Sequence, residues 1–412
     1  MTMLNEVGRS EARVLAWVVV GLCFLALGLA FSARAALGLV MPVWSAELGW
    51  TRSFISGTGA AALIAMAAIA PFAGRLVDRQ GPSAVLAIGL CALAAGCGLI
   101  AITSSPLLFV IAFSGLSAMG FGIVATHVVS TGVARLFETN RGLAIGIATS
   151  GATAGQFVIV PLIAWLMTAI SWRWSYAALA LASVLLIPLL LGAMRRGKDV
   201  ASRRVLSTNQ AARTFTGDLG YLVRRPAFHA LFWSFLLCGY TTTGIIETHL
   251  IPFAAFCGFP PLPSATAYGV LSAVNLVGMI AAGWLADRVN RPLLLGAIYL
   301  VRGAAFIVLM NVGASYDTLL AFAVMFGVVD YATVPVTASL VASHLGIGRM
   351  GLTMGLIAAG HALGGALGAF VGGFIFDSTA TYAIVWWSGV WLAIAAGLMV
   401  LPVSDRREPA SA

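Results

Sequence analysis

The feature that most constrains this chain is a succession of apolar stretches, each about 20 residues or longer, joined by short connections that carry nearly all the charge. A soluble domain has to cover its surface with polar side chains, whereas lipid tails accept apolar ones outright. Composition agrees: apolar residues fill 60% of 412 positions and charged residues 9%, against about 25% charged in ordinary soluble domains. Backbone groups in lipid must bond within their own segment, so the stretches are helices. Spans are predicted near residues 14–44, 53–75, 82–102, 106–134, 142–170 and 174–194, then 227–256, 264–286, 292–313, 317–341, 350–376 and 382–402. The fold class is an all-α membrane protein of twelve transmembrane helices. Arg9, Arg13 and Ala33-Arg34-Ala35 imitate a secretory leader, but the first apolar run far exceeds a leader's roughly 7–15 residues and reads as a retained span.

Orientation follows from the basic residues. With the N-terminus inside, nineteen of 23 fall on the cytoplasmic side: Arg9, Arg13, Arg75, Arg79, Arg135, Arg141, eight in the central loop, Arg288, Arg291, Arg349, Arg406 and Arg407. Only Arg52 and Arg173 face outward, while Arg34 and Arg302 lie inside spans. Both termini are then cytoplasmic, in a bacterial-type inner membrane. The central loop (Arg195, Arg196, Lys198, Arg203, Arg204, Arg213, Arg224, Arg225) reads as a basic linker held at an anionic leaflet. The net charge of +9 therefore reflects topology, and no patch of basic residues interleaved with aromatics points to nucleic acid. The cysteines (Cys23, Cys91, Cys97, Cys238, Cys257) lie mostly in apolar runs without paired or metal spacing, as small hydrophobes do.

An internal repeat divides the chain. Gly74-Arg75-Leu76-Val77-Asp78-Arg79 recurs as Gly283-Trp284-Leu285-Ala286-Asp287-Arg288, a shift of 209 positions. The same shift carries Gly146, Gly151 and Gly155 onto Gly355, Gly360 and Gly364, and Gly49-Trp50 onto Gly258-Phe259. Two pseudo-symmetric six-helix bundles follow, residues 1–194 and 227–412, joined by the linker 195–226. Because odd-numbered spans run outward in each half, the repeat is parallel, with its axis along the membrane normal. In the repeated element the glycine permits close helix packing, and the aspartate can accept from a helix N-terminus or pair with an arginine. Gly74, Asp78, Arg79, Gly283, Asp287 and Arg288 are thus the candidate conformational latch, the alternative being ordinary topogenic charge beside a turn.

These duplicated motifs resemble the signature of the major facilitator superfamily, and the likeness runs over the whole chain. Glu47-Leu48-Gly49-Trp50-Thr51-Arg52, Arg141-Gly142-Leu143-Ala144-Ile145-Gly146 and His361-Ala362-Leu363-Gly364 resemble its bacterial monocarboxylate-porter and oxalate/formate-exchanger branch. Two features depart from that branch. Its signature opening span one is reduced to Ala16-Trp17. The Asp and Arg that help hold the carboxylate in span eight of related carriers are replaced by Asn275 and Met279.

The resemblance implies that spans one, four, seven and ten line a central cavity. Arg34 is then the leading ligand for an organic anion, since its planar fork grips a carboxylate bidentately; the bland alternative is an arginine reaching the outer interface along its aliphatic stem. Arg302 and Asp330 fall near mid-membrane on consecutive spans, which predicts a buried structural ion pair; if Asp330 faces the cavity it becomes, with Glu247, a proton-coupling candidate. His127, Tyr240, His249, Asn275, His361 and Gln156 complete the candidate substrate-binding set, each histidine being equally a helix-packing residue. No phosphate-binding Gly-Lys-Ser/Thr loop, metal cluster, nucleophile elbow or cofactor motif is present. The expectation is a secondary transporter, not an enzyme, moving a small organic anion, with protons as the open question. The rivals are an exporter of amphipathic or drug-like compounds and a non-transporting membrane sensor or scaffold, which would carry a signalling tail or inserted domain.

Overall fold

The computed structural model describes residues 2–205 and 214–405, and its described regular structure is entirely helical. Span one runs Thr2–Glu47, two Arg52–Gln80, three Pro82–Ile102, four Pro106–Ala134, five Arg141–Ala169 and six Trp172–Val205. Span seven covers 226–256, eight Pro261–Ala286, nine Arg291–Met310, ten Tyr316–Leu345, eleven Met350–Thr379 and twelve Ala383–Val400. Eleven are long and apolar enough to cross a bilayer. Span seven is the twelfth, divided into Pro226–Gly239 and Ile246–Phe256 by a π-helical turn, Tyr240–Gly244. The predicted linker is partly helical. Span six continues to Val205, and a nine-residue linker helix, Phe215–Val223, precedes span seven. Arg213, Arg406 and Arg407 lie outside the described residues.

Local chemistry sets the boundaries. Prolines open spans three, four, seven and eight at the first turn, where a missing N–H costs nothing. Gly49 and Gly258, which end spans one and seven, both adopt positive φ (68° and 87°), a conformation that glycine reaches without strain. They are also one repeat apart. Large apolar side chains such as Ile64, Phe370 and Phe374 stay exposed at 72%, 73% and 64%, as residues facing lipid do.

Packing repeats the sequence symmetry. Span one packs on five and three on six; correspondingly, seven packs on eleven and nine on twelve. Gly28 abuts Gly151 and Gly155 in the first seam, as Gly244 abuts Gly368 in the second. The two sets meet through spans two with eleven and five with eight.

Those cross-contacts tighten toward one end, here termed the basic face because Arg75, Arg135, Arg141, Arg288, Arg291 and Arg349 sit there. Asp78 accepts from the amides of Gly351 (2.9 Å) and Leu352 (2.8 Å), which open span eleven. Asp287 accepts from Gly142 (2.8 Å) and Leu143 (2.9 Å), which open span five. The donors are themselves 209 positions apart, so the two contacts are one contact made twice. Each places a carboxylate on unpaired amides at the positive end of a helix dipole. Glycines bring the helices close enough: a methyl group on Gly74 would run into the Gly351 carbonyl, and one on Gly142 into that of Gly283. Arg135 adds a 2.6 Å bond to Asp78. The motif arginines Arg79 and Arg288 lie outside these contacts. Both are exposed, and Arg288 stacks on Trp284 at 4.1 Å.

The linker helix braces the same face. Asp218 bridges Arg349 at 2.9 Å and Arg75 at 3.6 Å, one from each set of spans. Phe215 stacks on Phe72, and Tyr221 lies 4.1 Å under the Arg349 guanidinium.

The clamp yields a direct test. Asp78→Asn and Asp287→Asn should each weaken the closed basic face by on the order of 1–3 kcal/mol, because a bond to a charged acceptor becomes a neutral one. In a cysteine-free background, a cysteine replacing Met354 (2% exposed) should then react roughly tenfold or more faster with a hydrophilic thiol reagent applied from that face. Equal labelling of parent and variants would rule the clamp out.

Candidate solute-binding site

Three of the four spans expected around the cavity are broken there, and their sequences explain the breaks. In span seven the Thr241 hydroxyl bonds to the carbonyls of Leu237 and Cys238, both at 3.0 Å, and Thr242 bonds to Cys238 at 2.8 Å. Side chains thus compete with the helix ladder over Tyr240–Gly244. Span four holds the π-helical segment Ile111–Ser117 and then opens at Val124 and Ala125, the latter extended at φ −130°, ψ 161°. Span ten stops at Val329 and resumes at Thr333. Non-helical backbone at such depth is tolerated only where protein or a water-filled cavity satisfies it.

The cavity adjoining these breaks comprises about 560 Å³ of atom-free space, the open solvent at its mouth included. Span one gives it Phe31 and Arg34, span four Thr126, span seven Glu247, and span ten Asp330 and Tyr331. Spans five and eight supply more of the wall than the resemblance implies: Ala152, Thr153 and Gln156 from the first, Tyr268, Leu271, Ser272, Asn275 and Met279 from the second.

Two arrangements hold the polar groups in place. Asn275, 2% exposed, donates to the Thr153 hydroxyl (3.2 Å) and accepts from the Tyr331 amide (3.1 Å). One side chain thereby satisfies an amide freed by the span-ten break and ties it to span five of the other set. Glu247 accepts from the Tyr331 hydroxyl at 2.7 Å and from Thr243 at 3.5 Å, which orients its carboxylate. Arg34 differs. Its guanidinium lies 4.7 Å over Phe31 and has no hydrogen bond or salt bridge to any described residue, leaving its fork free.

The structure therefore brings together Arg34, Gln156, Glu247, Asn275 and Asp330. It does not bring the remaining candidates to the cavity. His127, 3% exposed, turns into the protein with Nε2 unpartnered, while its neighbour Thr126 reaches the cavity. Tyr240 bonds to Ser388 of span twelve at 3.2 Å. His249 lies in the seam between spans seven and eleven, 3.0 Å from the Ala369 carbonyl and against Gly372. His361 sits one layer back, 3.4 Å from Thr242, with its ring 6.4 Å from that of Tyr331. Sequence reasoning missed Tyr268, Tyr331 and Ser272. The duplicated register carries the span-four residues Phe121 and Gly122 onto Asp330 and Tyr331, a signal available beforehand.

The expected Arg302–Asp330 ion pair is corrected in its geometry. Arg302, fully buried, donates from one terminal nitrogen to the backbone carbonyls of Val329 (2.7 Å) and Asp330, and from the other to Cys238 Sγ (2.9 Å) and Thr241 (3.3 Å). It caps the C-terminal end of the half-helix Tyr316–Val329, where the break leaves carbonyls and the dipole favours a cation. No salt bridge joins it to the Asp330 carboxylate among the described residues, and Asp330 Oδ1 is buried without a hydrogen-bond partner.

This capping role predicts an asymmetry. Arg302→Leu strands two carbonyls and should lower stability by roughly 3 kcal/mol or more; Asp330→Asn, which keeps the break intact, should cost at most about 1 kcal/mol. Thermal unfolding of the two variants decides it: equal losses would restore the side-chain ion pair.

Comparison with known proteins agrees with this architecture. The chain is 26% identical over 387 residues to Monocarboxylate transporter 13 of Rattus norvegicus, covering 93% of this chain and 88% of that one. It is 23% identical over 364 residues to the uncharacterized MFS-type transporter YcxA of Bacillus subtilis, covering 87% and 88%. A solved double-tryptophan mutant of XylE shares the fold with a TM-score of 0.76 over 97% of this chain and 98% of that one, at 14% identity. The sequence profile of the Major Facilitator Superfamily matches residues 23–357, and the chain, a multi-pass membrane transporter rather than an enzyme, belongs to that superfamily.

Proposed function

We propose that the protein carries a small organic anion across the inner membrane by alternating access, gripping the cargo's carboxylate with Arg34. The observation that carries this reading is a guanidinium lining a polar cavity with no partner of its own. A charge at such depth is costly to keep and marks a pathway or site, and an unoccupied planar fork matches a carboxylate. The monocarboxylate transporter among the relatives supports the cargo class.

The bundles 1–194 and 227–412 rock about this cavity, with both termini and the basic face in the cytoplasm. The twin aspartate contacts and the Asp218 brace hold that face shut, so cargo enters from the opposite side. Glu247 and Asp330 line the same cavity from the other bundle. An anion that settles beside them needs their charge compensated, which makes them the coupling site, whether the compensation is a proton or a positive charge on the cargo itself. Span eight contributes Asn275 and Met279 instead of an acid and a base, so Arg34 alone supplies the cationic contact.

Uptake of labelled short-chain mono- and dicarboxylates into proteoliposomes tests the reading. Arg34→Gln should cut uptake by about tenfold or more, the worth of one charge-assisted contact, and Arg34→Lys should restore part of it. Unchanged transport in Arg34→Gln would sink the anion mechanism. Efflux of amphipathic cations by that same variant would favour the exporter instead.

A further inference from the structure

Charge in the cavity is sorted by side. Arg34 stands on span one, whereas Glu247 and Asp330 stand on spans seven and ten. Behind the wall Arg302 adds a second cation, wholly buried and committed to its carbonyls, Cys238 and Thr241. Two guanidinium groups and two carboxylates sum to zero when all four are ionised, and of the three that line the cavity the cation belongs to one half and both carboxylates to the other. A bare carboxylate entering this space leaves one negative charge uncompensated at low dielectric, where such imbalance is expensive, unless a proton enters with it. A cargo that is neutral overall and charge-separated leaves none.

The acidic side also has acceptors to spare. Asp330 Oδ1 is buried with no partner, in a residue 5% exposed. The Glu247 carboxylate is held by Tyr331 and Thr243 through Oε1, which leaves Oε2 open. An ammonium group is compact and offers three donors, whereas a hydroxyl offers one. Phe31, Leu271 and Met279 provide the apolar wall for a side chain.

We propose that the cargo is a zwitterionic amino acid or close analogue, its carboxylate on Arg34 and its ammonium between Glu247 and Asp330. This rests on the carboxylate reading of Arg34 and narrows it.

The test is thermal unfolding of the purified full-length protein with matched probes: an L-amino acid, the 2-hydroxy and 2-oxo acids of the same skeleton, and the amino acid's methyl ester. Skeletons from alanine to phenylalanine are covered. Binding to the folded form raises its apparent stability. At least one amino acid should raise the Tm, and its hydroxy and oxo counterparts should need about tenfold or more concentration for the same shift. Glu247→Gln should erase most of that preference; this variant keeps the side-chain shape and avoids the helix break at Asp330. A hydroxy or oxo acid as effective as its amino acid, or an unchanged preference in Glu247→Gln, overturns the amine assignment while sparing Arg34. A methyl ester as effective as the free amino acid overturns the Arg34 reading itself. Silence across every skeleton overturns both.

Discussion

The structure depends on one contact made twice: an aspartate at the end of one span accepting the first free amides of a span in the other half. Asp78 on Gly351 and Leu352, and Asp287 on Gly142 and Leu143, join two sets of helices that lipid alone would not hold together, because tails are as apolar as the helix surfaces. The contact uses groups that every helix carries unsatisfied at its N-terminus, so each carboxylate is met by donors already present. Its geometry requires backbones in near contact, which is why Gly74, Gly142, Gly283 and Gly351 occupy the crossing points. A bond of this kind is worth a few kcal/mol at most, a size that can bias a conformational equilibrium.

The broken spans answer a different need. A continuous helix hides its backbone polarity and presents only side chains. Spans four, seven and ten interrupt the ladder beside the cavity, and two of the interruptions are met by specific groups: threonine hydroxyls in span seven, Arg302 and Asn275 at the break in span ten. Arg302 is the clearest instance. Its burial is explained by two carbonyls and a helix end, without a salt bridge to Asp330, and this leaves the Asp330 carboxylate facing the cavity with capacity unused.

Site chemistry then follows from separation. Arg34 is held apart from Glu247 and Asp330 by being placed on the opposite half, so the charges do not cancel by pairing. A cavity that kept them in contact would be inert; one that keeps them apart can be bridged by a cargo.

The sequence by itself determined the membrane class, the helical fold, the span count and the duplication, because hydrophobic length and a 209-residue register are properties of the linear chain. It also named the glycines and aspartates of the twin contacts and five of the cavity's polar residues, Arg34, Gln156, Glu247, Asn275 and Asp330. Only the tertiary structure decided which way side chains turn. His127, Tyr240, His249 and His361 lie on suitable spans, but they point into helix seams, since a rotation of a few tens of degrees about a helix axis separates cavity from seam and hydropathy does not encode it. The breaks at Val124–Ala125 and Asp330–Ala332 were equally hidden, because hydropathy averaged over a span does not register an interruption of two or three residues. Asp218 escaped notice because its role depends on Arg75 and Arg349, distant in sequence and brought together only when the two halves meet.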